Sequence, residues 1–218
     1  IGILILVGGL IILKNDSQSI PVYDWENQSV FSANREEARA HFIPYESEKY
    51  ALIGDTKRSK FFISLNGKWK FFHSENPSLR PNDFYKPEFD LSNWKTINVP
   101  GHWEIQGWSQ PIYLDEEYPF PANPPKIPIE KNEVGSYYKP FEYPAYWRGR
   151  DVFIRFSGVR SAFYFWINGE KVGYSQGSKT PAGFDITKYV KNGKNHVHVE
   201  VYKYSDGSYL EGQDTWRL

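Results

Sequence analysis

The pair Asn168-Gly169, set between two runs rich in aromatic and β-branched residues, constrains the fold of this chain most. Residues 162–167 precede the pair, and residues 171–174 follow it. Asn-Gly adopts the left-handed backbone angles of a two-residue hairpin turn at little cost. Two antiparallel strands joined by a tight turn are therefore predicted here.

Alternation with a period of two residues indicates further strands. Val197, Val199 and Val201 occupy alternate positions, and residues 94–99 and 152–156 alternate in the same way. A strand places successive side chains on opposite faces, so this pattern is typical of a half-buried strand. Short strands separated by turn signals about every 8–12 residues indicate an antiparallel sandwich. We therefore predict an all-β fold.

Three other stretches support separate predictions. The Asn-Gly pair at 66–67 predicts a second hairpin, between residues 61–63 and 65–72. Residues 185–190 predict a single helical turn. Residues 113–143 contain six prolines and little apolar periodicity, which predicts a long loop. Loops of that length inside a compact domain are uncommon, so we interpret this one as functional.

The N-terminus begins with an uninterrupted apolar run from Ile1 to Leu13. Thirteen residues fall short of the ~20 that span a bilayer as a helix. They match the apolar region of a signal peptide, although a cationic leader is missing. A buried strand or helix is the alternative. We interpret residues 1–13 as a signal-peptide or membrane-anchor segment, which predicts an exported protein in the periplasm or at the cell surface.

Composition excludes several classes of function. The chain has 26 basic and 26 acidic residues, so it lacks the excess positive charge that nucleic acids attract. Absence of cysteine excludes disulfides and a thiol nucleophile. The five histidines are not spaced as metal ligands, and neither a phosphate-binding loop nor a nucleophilic serine motif occurs. Aromatic residues make up 18% of the chain, which suits a β-rich core with a few stacking platforms for sugars.

The last fourteen residues combine three carboxylates (Asp206, Glu211 and Asp214) with aromatic residues and an arginine. Carboxylates accept strong hydrogen bonds from hydroxyl groups, so this segment favours carbohydrate recognition. A simpler interpretation is that Asp206 and the glycine after it form a tight turn. We interpret Glu211, Asp214 and Arg217 as a structural ion-pair network. The chain stops inside what reads as a continuing segment, so the rest of the site is expected beyond Leu218.

Eight short motifs follow one another along the chain. They are Ser64-Leu65-Asn66-Gly67-Lys68-Trp69, Val99-Pro100-Gly101-His102-Trp103-Glu104, Gln110-Pro111-Ile112-Tyr113, Tyr118-Pro119-Phe120, Asn123-Pro124-Pro125, Gly135-Ser136-Tyr137, Phe156-Ser157-Gly158-Val159-Arg160-Ser161 and Trp166-Ile167-Asn168-Gly169. With this order and spacing, the chain from about Trp25 to Leu218 closely resembles the N-terminal region of bacterial β-galactosidases of glycoside hydrolase family 2.

The resemblance implies an architecture. Residues 61–218 would form a jelly-roll β-sandwich that binds sugar, and residues 14–60 an extended N-terminal arm laid over the domain and across a neighbouring subunit of a homo-oligomer. A short helix over residues 34–42 is the alternative for part of the arm, with Asn34 as its N-cap. Immunoglobulin-like and TIM-barrel domains would follow Leu218. In a retaining mechanism the barrel would supply both catalytic glutamates, so this chain alone is not expected to hydrolyse substrate.

The resemblance also implies roles for two aspartates. Asp206 matches a carboxylate that binds galactose hydroxyls and a sodium ion, and oxygen ligands suit that hard cation. Asp115 matches a second substrate-binding position, where many relatives have asparagine. An ionised aspartate only accepts hydrogen bonds, and two nearby carboxylates need a cation or a proton between them. Magnesium is compatible with the full-length enzyme, and no residue of this chain is expected to be catalytic.

Two alternatives remain open. A β-glucuronidase or β-mannosidase of the same family would share the sandwich. A stand-alone carbohydrate-binding module would have the sandwich without catalysis. The Asp206–Glu211 run and the Asn123-Pro124-Pro125 loop favour a galactosidase acting on terminal β-galactosides.

Overall fold

The structure is a computed structural model that describes residues 23–115, 117–211 and 214–217. The apolar run at residues 1–13, interpreted as a targeting segment, lies outside the described residues. Within the described ranges, no helix is long and apolar enough to cross a membrane.

The described residues form eleven β-strands and two short α-helices, besides five single-turn 3₁₀ helices. They are β1 (Ser32–Ala33), α1 (Glu48–Ile53), β2 (Gly67–Ser74), β3 (Lys95–Val99), β4 (Ile112–Asp115), β5 (Val134–Tyr143), β6 (Phe153–Phe156), β7 (Ala162–Ile167), β8 (Glu170–Gln176), β9 (Ala182–Asp185), β10 (Gly193–Tyr202), α2 (Ser208–Glu211) and β11 (Asp214–Arg217). Every strand pairing is antiparallel. The predicted fold class, an all-β antiparallel sandwich with an extended N-terminal arm, is confirmed.

A seven-stranded sheet dominates the fold, in the order β1-β8-β7-β10-β5-β2-β3. Two-stranded sheets are formed by β6 with β9 and by β4 with β11. The β6–β9 pair covers one face of the large sheet, since the ring of Phe184 on β9 lies 4.6 Å from that of Phe165 on β7, centroid to centroid. The main core between these layers contains the three alternating valines of β10, as the period-two pattern predicts.

Strand β10 is central and is buried on both faces. Its full length pairs with β5, from Gly193 opposite Tyr143 to Tyr202 opposite Val134. On the face away from the main core, His198 packs beneath Phe84, with 5.8 Å between ring centroids. The burial of this second face was not predicted, because nothing in the local sequence shows that residues near Phe84 fold over it.

The hairpin predicted at residues 168–169 is confirmed. Asn168 and Gly169 join β7 to β8 and both have positive φ, at 52° and 91°, as a type I′ turn requires. The helical turn at residues 185–190 is also present, with the N–H of Tyr189 donating to the carbonyl of Ile186 at 2.9 Å.

The hairpin predicted at residues 66–67 is wrong. Residues 61–63 form no strand, and Gly67 instead begins β2, which pairs with β3 and β5. The preceding segment makes its contacts elsewhere: the Trp147 indole N–H donates to the Lys60 carbonyl at 2.7 Å, and the Arg150 guanidinium lies 4.6 Å from the centre of the Phe61 ring.

The long loop predicted over residues 113–143 is shorter than expected, because β5 occupies 134–143. Proline at position 140 does not prevent this, although it provides no N–H to the ladder.

The alternative of a helix over residues 34–42 is wrong. Asn34 has a left-handed φ of 57°, and its side-chain amide donates to the Val172 carbonyl at 2.8 Å. β1 pairs with β8, and the Arg35 guanidinium donates to the hydroxyl of Ser175 at 3.0 Å. Residues 32–36 therefore lie against the sheet without forming a helix, whereas Asp24–Glu26 form a single 3₁₀ turn. The helix α1, farther along, was not predicted.

Candidate functional site

The Asp206 segment is a turn that follows the central strand. After β10, the N–H of Ser208 donates to the Ser205 carbonyl at 2.8 Å, and the N–H of Tyr209 donates to the Asp206 carbonyl at 3.2 Å. The Ser208 hydroxyl also accepts the N–H of Ser205 at 3.1 Å. The interpretation of Asp206-Gly207 as a tight turn is thus correct, and a turn fixed in this way is also a rigid support for a carboxylate.

The carboxylate of Asp206 is incompletely satisfied. Its Oδ1 is buried and has no hydrogen-bond partner among the described residues. Burial raises the pKa of Asp206 above its ordinary value, while a hydrogen bond from Gln176 opposes that rise. A buried acceptor without a partner is unfavourable by about 1–3 kcal/mol. A hydroxyl donor or a cation at this oxygen would remove that penalty.

A buried polar network lies beside Asp206. The hydroxyls of Ser205 and Ser161 are 2.7 Å apart, and the Ser208 hydroxyl donates to Ser161 at 3.2 Å. The Gln176 amide donates to the hydroxyl of Tyr174 at 2.7 Å and accepts from Ser205 at 3.4 Å. Because these groups satisfy one another, they hold the turn in one arrangement.

The N-terminal segment contacts the turn directly. The N–H of Asp206 donates to the Trp25 carbonyl at 2.8 Å. The next residue, Glu26, is buried, and its carboxylate accepts the N–H of Ile127 at 2.9 Å and lies 3.4 Å from the ammonium of Lys126. The arm therefore joins the Asp206 turn to the proline-rich loop.

Tyr209 connects the same two regions from the other side. Its hydroxyl donates to the Lys126 carbonyl at 2.5 Å and accepts the N–H of Asn123 at 3.0 Å. The Tyr118 hydroxyl donates to the carbonyl of Tyr209 at 2.8 Å. The Asn123-Pro124-Pro125 motif is thus held against helix α2.

Asp115 is the last residue of β4, and its backbone lies opposite Asp214 in the register with β11. The structure therefore brings Asp115 to the strand that follows the Asp206 turn, but its side chain is outside the description. Glu211 has a structural role: its carboxylate accepts the N–H of Ser178 at 2.7 Å and also the Ser178 hydroxyl. The side chains of Asp214 and Arg217, the other members of the predicted network, lie outside the description.

No group of three or more histidine, aspartate or glutamate residues that could hold a metal occurs in the described part of the chain. Asp206 Oδ1 is suited to be one ligand of a cation. Binding of sodium or magnesium stays a prediction. Clefts of about 520 and 610 Å³ open elsewhere, and Asp206 lines neither of them.

An ion-paired cluster that sequence reasoning missed borders the larger cleft. The Lys203 ammonium, only 2% exposed, contacts Glu133 at 2.5 Å and the Ser109 hydroxyl at 2.6 Å. His73 Nε2 lies 2.8 Å from the other carboxylate oxygen. Burial raises the pKa of Glu133, but hydrogen bonds from His73 and Lys203 outweigh it and bring the pKa to about 2. This cluster anchors the chain three residues before Asp206.

Residues 62–218 match the model of the family described as "Glycosyl hydrolases family 2, sugar binding domain". The chain belongs to glycosyl hydrolase family 2 and contains its sugar-binding domain, which confirms the predicted family.

Similar curated proteins are β-galactosidases. The chain is 46% identical to the β-galactosidase of Priestia megaterium over 200 residues, covering 89% of this chain and 19% of that protein. It is 45% identical to the β-galactosidase of Clostridium acetobutylicum, covering 91% and 22%. The chain therefore spans only about a fifth of the length of the curated relatives it matches.

Solved structures with a similar fold include two β-glucuronidases. The Bifidobacterium dentium β-glucuronidase complexed with coumarin-3-O-glucuronide has 22% identity and a TM-score of 0.47, covering 63% of this chain and 19% of that one. The Faecalibacterium prausnitzii β-glucuronidase has 22% identity and a TM-score of 0.48, covering 64% and 20%.

Proposed function

We propose that this chain is the sugar-binding domain of a retaining β-galactosidase that hydrolyses terminal non-reducing β-D-galactose residues. One observation carries the proposal: the buried Oδ1 of Asp206 lacks a partner among the described residues, on a turn held rigidly at the end of the central strand. A carboxylate in that state strongly attracts a hydroxyl donor or a cation. The β-galactosidase names of the curated relatives support the choice of substrate.

In this proposal the domain binds substrate and does not carry out the chemistry. Asp206 accepts hydrogen bonds from galactose hydroxyls and provides one oxygen ligand to a sodium ion. Asp115, at the end of β4, binds the same sugar. Both catalytic glutamates belong to a barrel domain outside this chain, and magnesium is compatible with the full-length enzyme. The protein is exported and assembles as a homo-oligomer.

Charge provides a physical reason to prefer β-galactosides over β-glucuronides. A glucuronide carries a carboxylate where galactose carries a hydroxymethyl group. Asp206 and Asp115 are both acidic, so an anionic sugar would meet repulsion where a neutral sugar finds acceptors. A stand-alone binding module has no comparable observation in its favour.

The proposal is tested by assaying the complete protein with chromogenic β-galactoside, β-glucuronide and β-mannoside, in sodium and in choline chloride. We expect the β-galactoside to give the highest kcat/KM, and sodium to raise it. Asp206→Asn should abolish the response to sodium. A preference for the glucuronide would overturn the substrate, and an unchanged sodium response in Asp206→Asn would overturn the role of Asp206. Turnover by the purified 218-residue chain would show that the chemistry lies within it.

A further inference from the structure

Asn132 forms an unusual connection just before the Asp206 turn. The ladder between β5 and β10 ends where Val134 faces Tyr202, and the Lys203 N–H then donates to the Glu133 carbonyl at 3.0 Å. One residue farther, the side chain of Asn132 takes the place of a backbone in pairing with Tyr204. The Asn132 amide nitrogen donates to the Tyr204 carbonyl at 3.1 Å, and its amide oxygen accepts the Tyr204 N–H at 2.9 Å.

This clasp is buried. Asn132 is 0% exposed and Tyr204 is 3% exposed. The clasp needs a donor nitrogen and an acceptor oxygen on one side chain, and the amides of asparagine and glutamine provide both. Removing the amide would leave the Tyr204 backbone groups without these two bonds in a dry environment, so the chain there would shift to find other partners.

We propose that Asn132 is a positioning residue for Asp206. Tyr204 lies two residues before Asp206, and hydrogen bonds among Ser205, Ser208 and Tyr209 fix the shape of the turn. The placement of the turn relative to the sheet depends on the hydrogen bonds that fix the Tyr204 backbone. Asn132 thus sets where the carboxylate stands without touching sugar or cation. The inference rests on the proposed function, since it gives Asp206 a ligand to be positioned for.

The chain contains a matched control at the other end of the same strand. Asn195 is also 0% exposed, and its amide clasps a backbone in the same way, accepting from the Lys191 N–H at 2.8 Å and donating to the Lys191 carbonyl at 2.7 Å. Nine residues separate Asn195 from Tyr204, which is about 30 Å along a strand. Breaking either clasp affects stability, but only the Asn132 clasp adjoins the Asp206 turn.

The experiment compares Asn132→Ala with Asn195→Ala in the complete protein, measuring Tm, kcat/KM for a β-galactoside and the sodium concentration for half-maximal activity. Both variants should have a lower Tm. Only Asn132→Ala should lower kcat/KM, by about 10- to 100-fold, because misplacing a binding group by about 1 Å has an effect of that size. It should also raise the half-maximal sodium concentration several-fold. The isosteric pair Asn132→Asp and Asn195→Asp repeats the comparison if the alanine variants do not fold.

Combination with Asp206→Ala completes the test. If Asn132 acts through Asp206, adding Asn132→Ala to Asp206→Ala causes no further loss of kcat/KM. Normal kinetics in Asn132→Ala, alongside impaired Asp206→Ala, would overturn this inference and leave the proposed function standing. Equal kinetic losses in the Asn195 variants would also overturn it, since they would indicate general loosening. Normal kinetics in Asp206→Ala would overturn the proposed function and this inference with it.

Discussion

The main-chain N–H of Asp206 donates to the carbonyl oxygen of Trp25 at 2.8 Å. The Trp25 side chain is 1% exposed and stacks on Tyr202, the last residue of β10, with 5.2 Å between ring centroids. Arm, strand end and turn therefore form one packed unit. A substitution in any of the three is expected to affect the position of the carboxylate.

Trp25→Ala should lower the free energy of unfolding by about 3–5 kcal/mol, because it removes a fully buried aromatic side chain. Urea denaturation of the 218-residue chain measures the change. Tyr23→Ala is the control: Tyr23 stacks on Trp25 at 4.8 Å but is 39% exposed, so its effect should be clearly smaller. Equal effects of the two variants would show that the arm is not anchored through Trp25.

Asp206→Ala should lower kcat/KM of the complete protein roughly 10- to 150-fold, which corresponds to losing a charge-assisted hydrogen bond of about 1.5–3 kcal/mol. The Tm should change little, because the loss of the hydrogen bond from Gln176 is offset by the removal of a buried oxygen without a partner. Asp90→Ala serves as control, since Asp90 accepts the Ser92 N–H at 2.8 Å in an exposed turn. If Asp206→Ala is merely destabilised and has normal kinetics, Asp206 has no binding role.

Glu133→Gln should lower the free energy of unfolding by about 3–5 kcal/mol, because it removes the negative charge that the buried Lys203 ammonium contacts. The double variant Glu133→Gln/Lys203→Met should recover part of that loss, and a double variant less stable than the single one would contradict this prediction.

The Glu133 pKa of about 2 lies below the ordinary 4.5. The contribution of Glu133 to the free energy of unfolding is therefore fully present above pH 4.5 and is lost as the pH falls towards 2. Denaturation measured at several pH values in this range can detect the loss.

His198 should make the fold sensitive to acid at a higher pH than Glu133 does. Burial, and secondarily the neighbouring His196, lower the His198 pKa from 6.5 to about 4. Protonation therefore favours the unfolded chain, and the contribution of His198 is fully present above pH 6.5 and is lost as the pH falls towards 4. Between pH 7.5 and 4.5 the loss should be about 2–3 kcal/mol. Nearby Glu200 acts in the opposite direction, because burial raises its pKa.

Denaturation across this pH range should show a flatter profile for His198→Phe than for the unmodified chain. His102→Gln, at an exposed position, serves as the control substitution. An unchanged slope in His198→Phe would assign the acid sensitivity to other groups.

Local signals allowed the hairpin at residues 168–169 to be predicted, because its turn and both strands are adjacent in sequence. The same dipeptide at residues 66–67 failed as a signal, since β2 finds its partners in β3 and β5, far along the chain. Alternation predicted the inner face of β10 but not the burial of His198 on the other face. That burial depends on Phe84, more than a hundred residues away in sequence.

For the candidate site, the turn at Asp206 could be predicted because it lies in a recognisable run of residues, and the binding role of Asp206 stays a prediction. Trp25 contacts the turn through its backbone carbonyl. Every residue type has such a carbonyl, so this contact cannot be predicted from the sequence. Asn132 acts through its side chain, but a single buried asparagine after a proline-rich stretch looks like an ordinary loop residue. Contacts between distant segments determine both roles, and periodicity and turn signals do not report such contacts.

The bond between Trp25 and Asp206 also bears on the order in which the molecule forms during synthesis. Trp25 is synthesised early, whereas its partners Tyr202 and Asp206 follow 177 and 181 residues later. At about 5–20 residues per second, the interval is on the order of 10–40 s. Throughout this interval, the Trp25 ring lacks its stacking partner Tyr202. The arm is thus the first part of the domain to be made and among the last to be folded, and the carboxylate turn reaches its final geometry only when the arm returns.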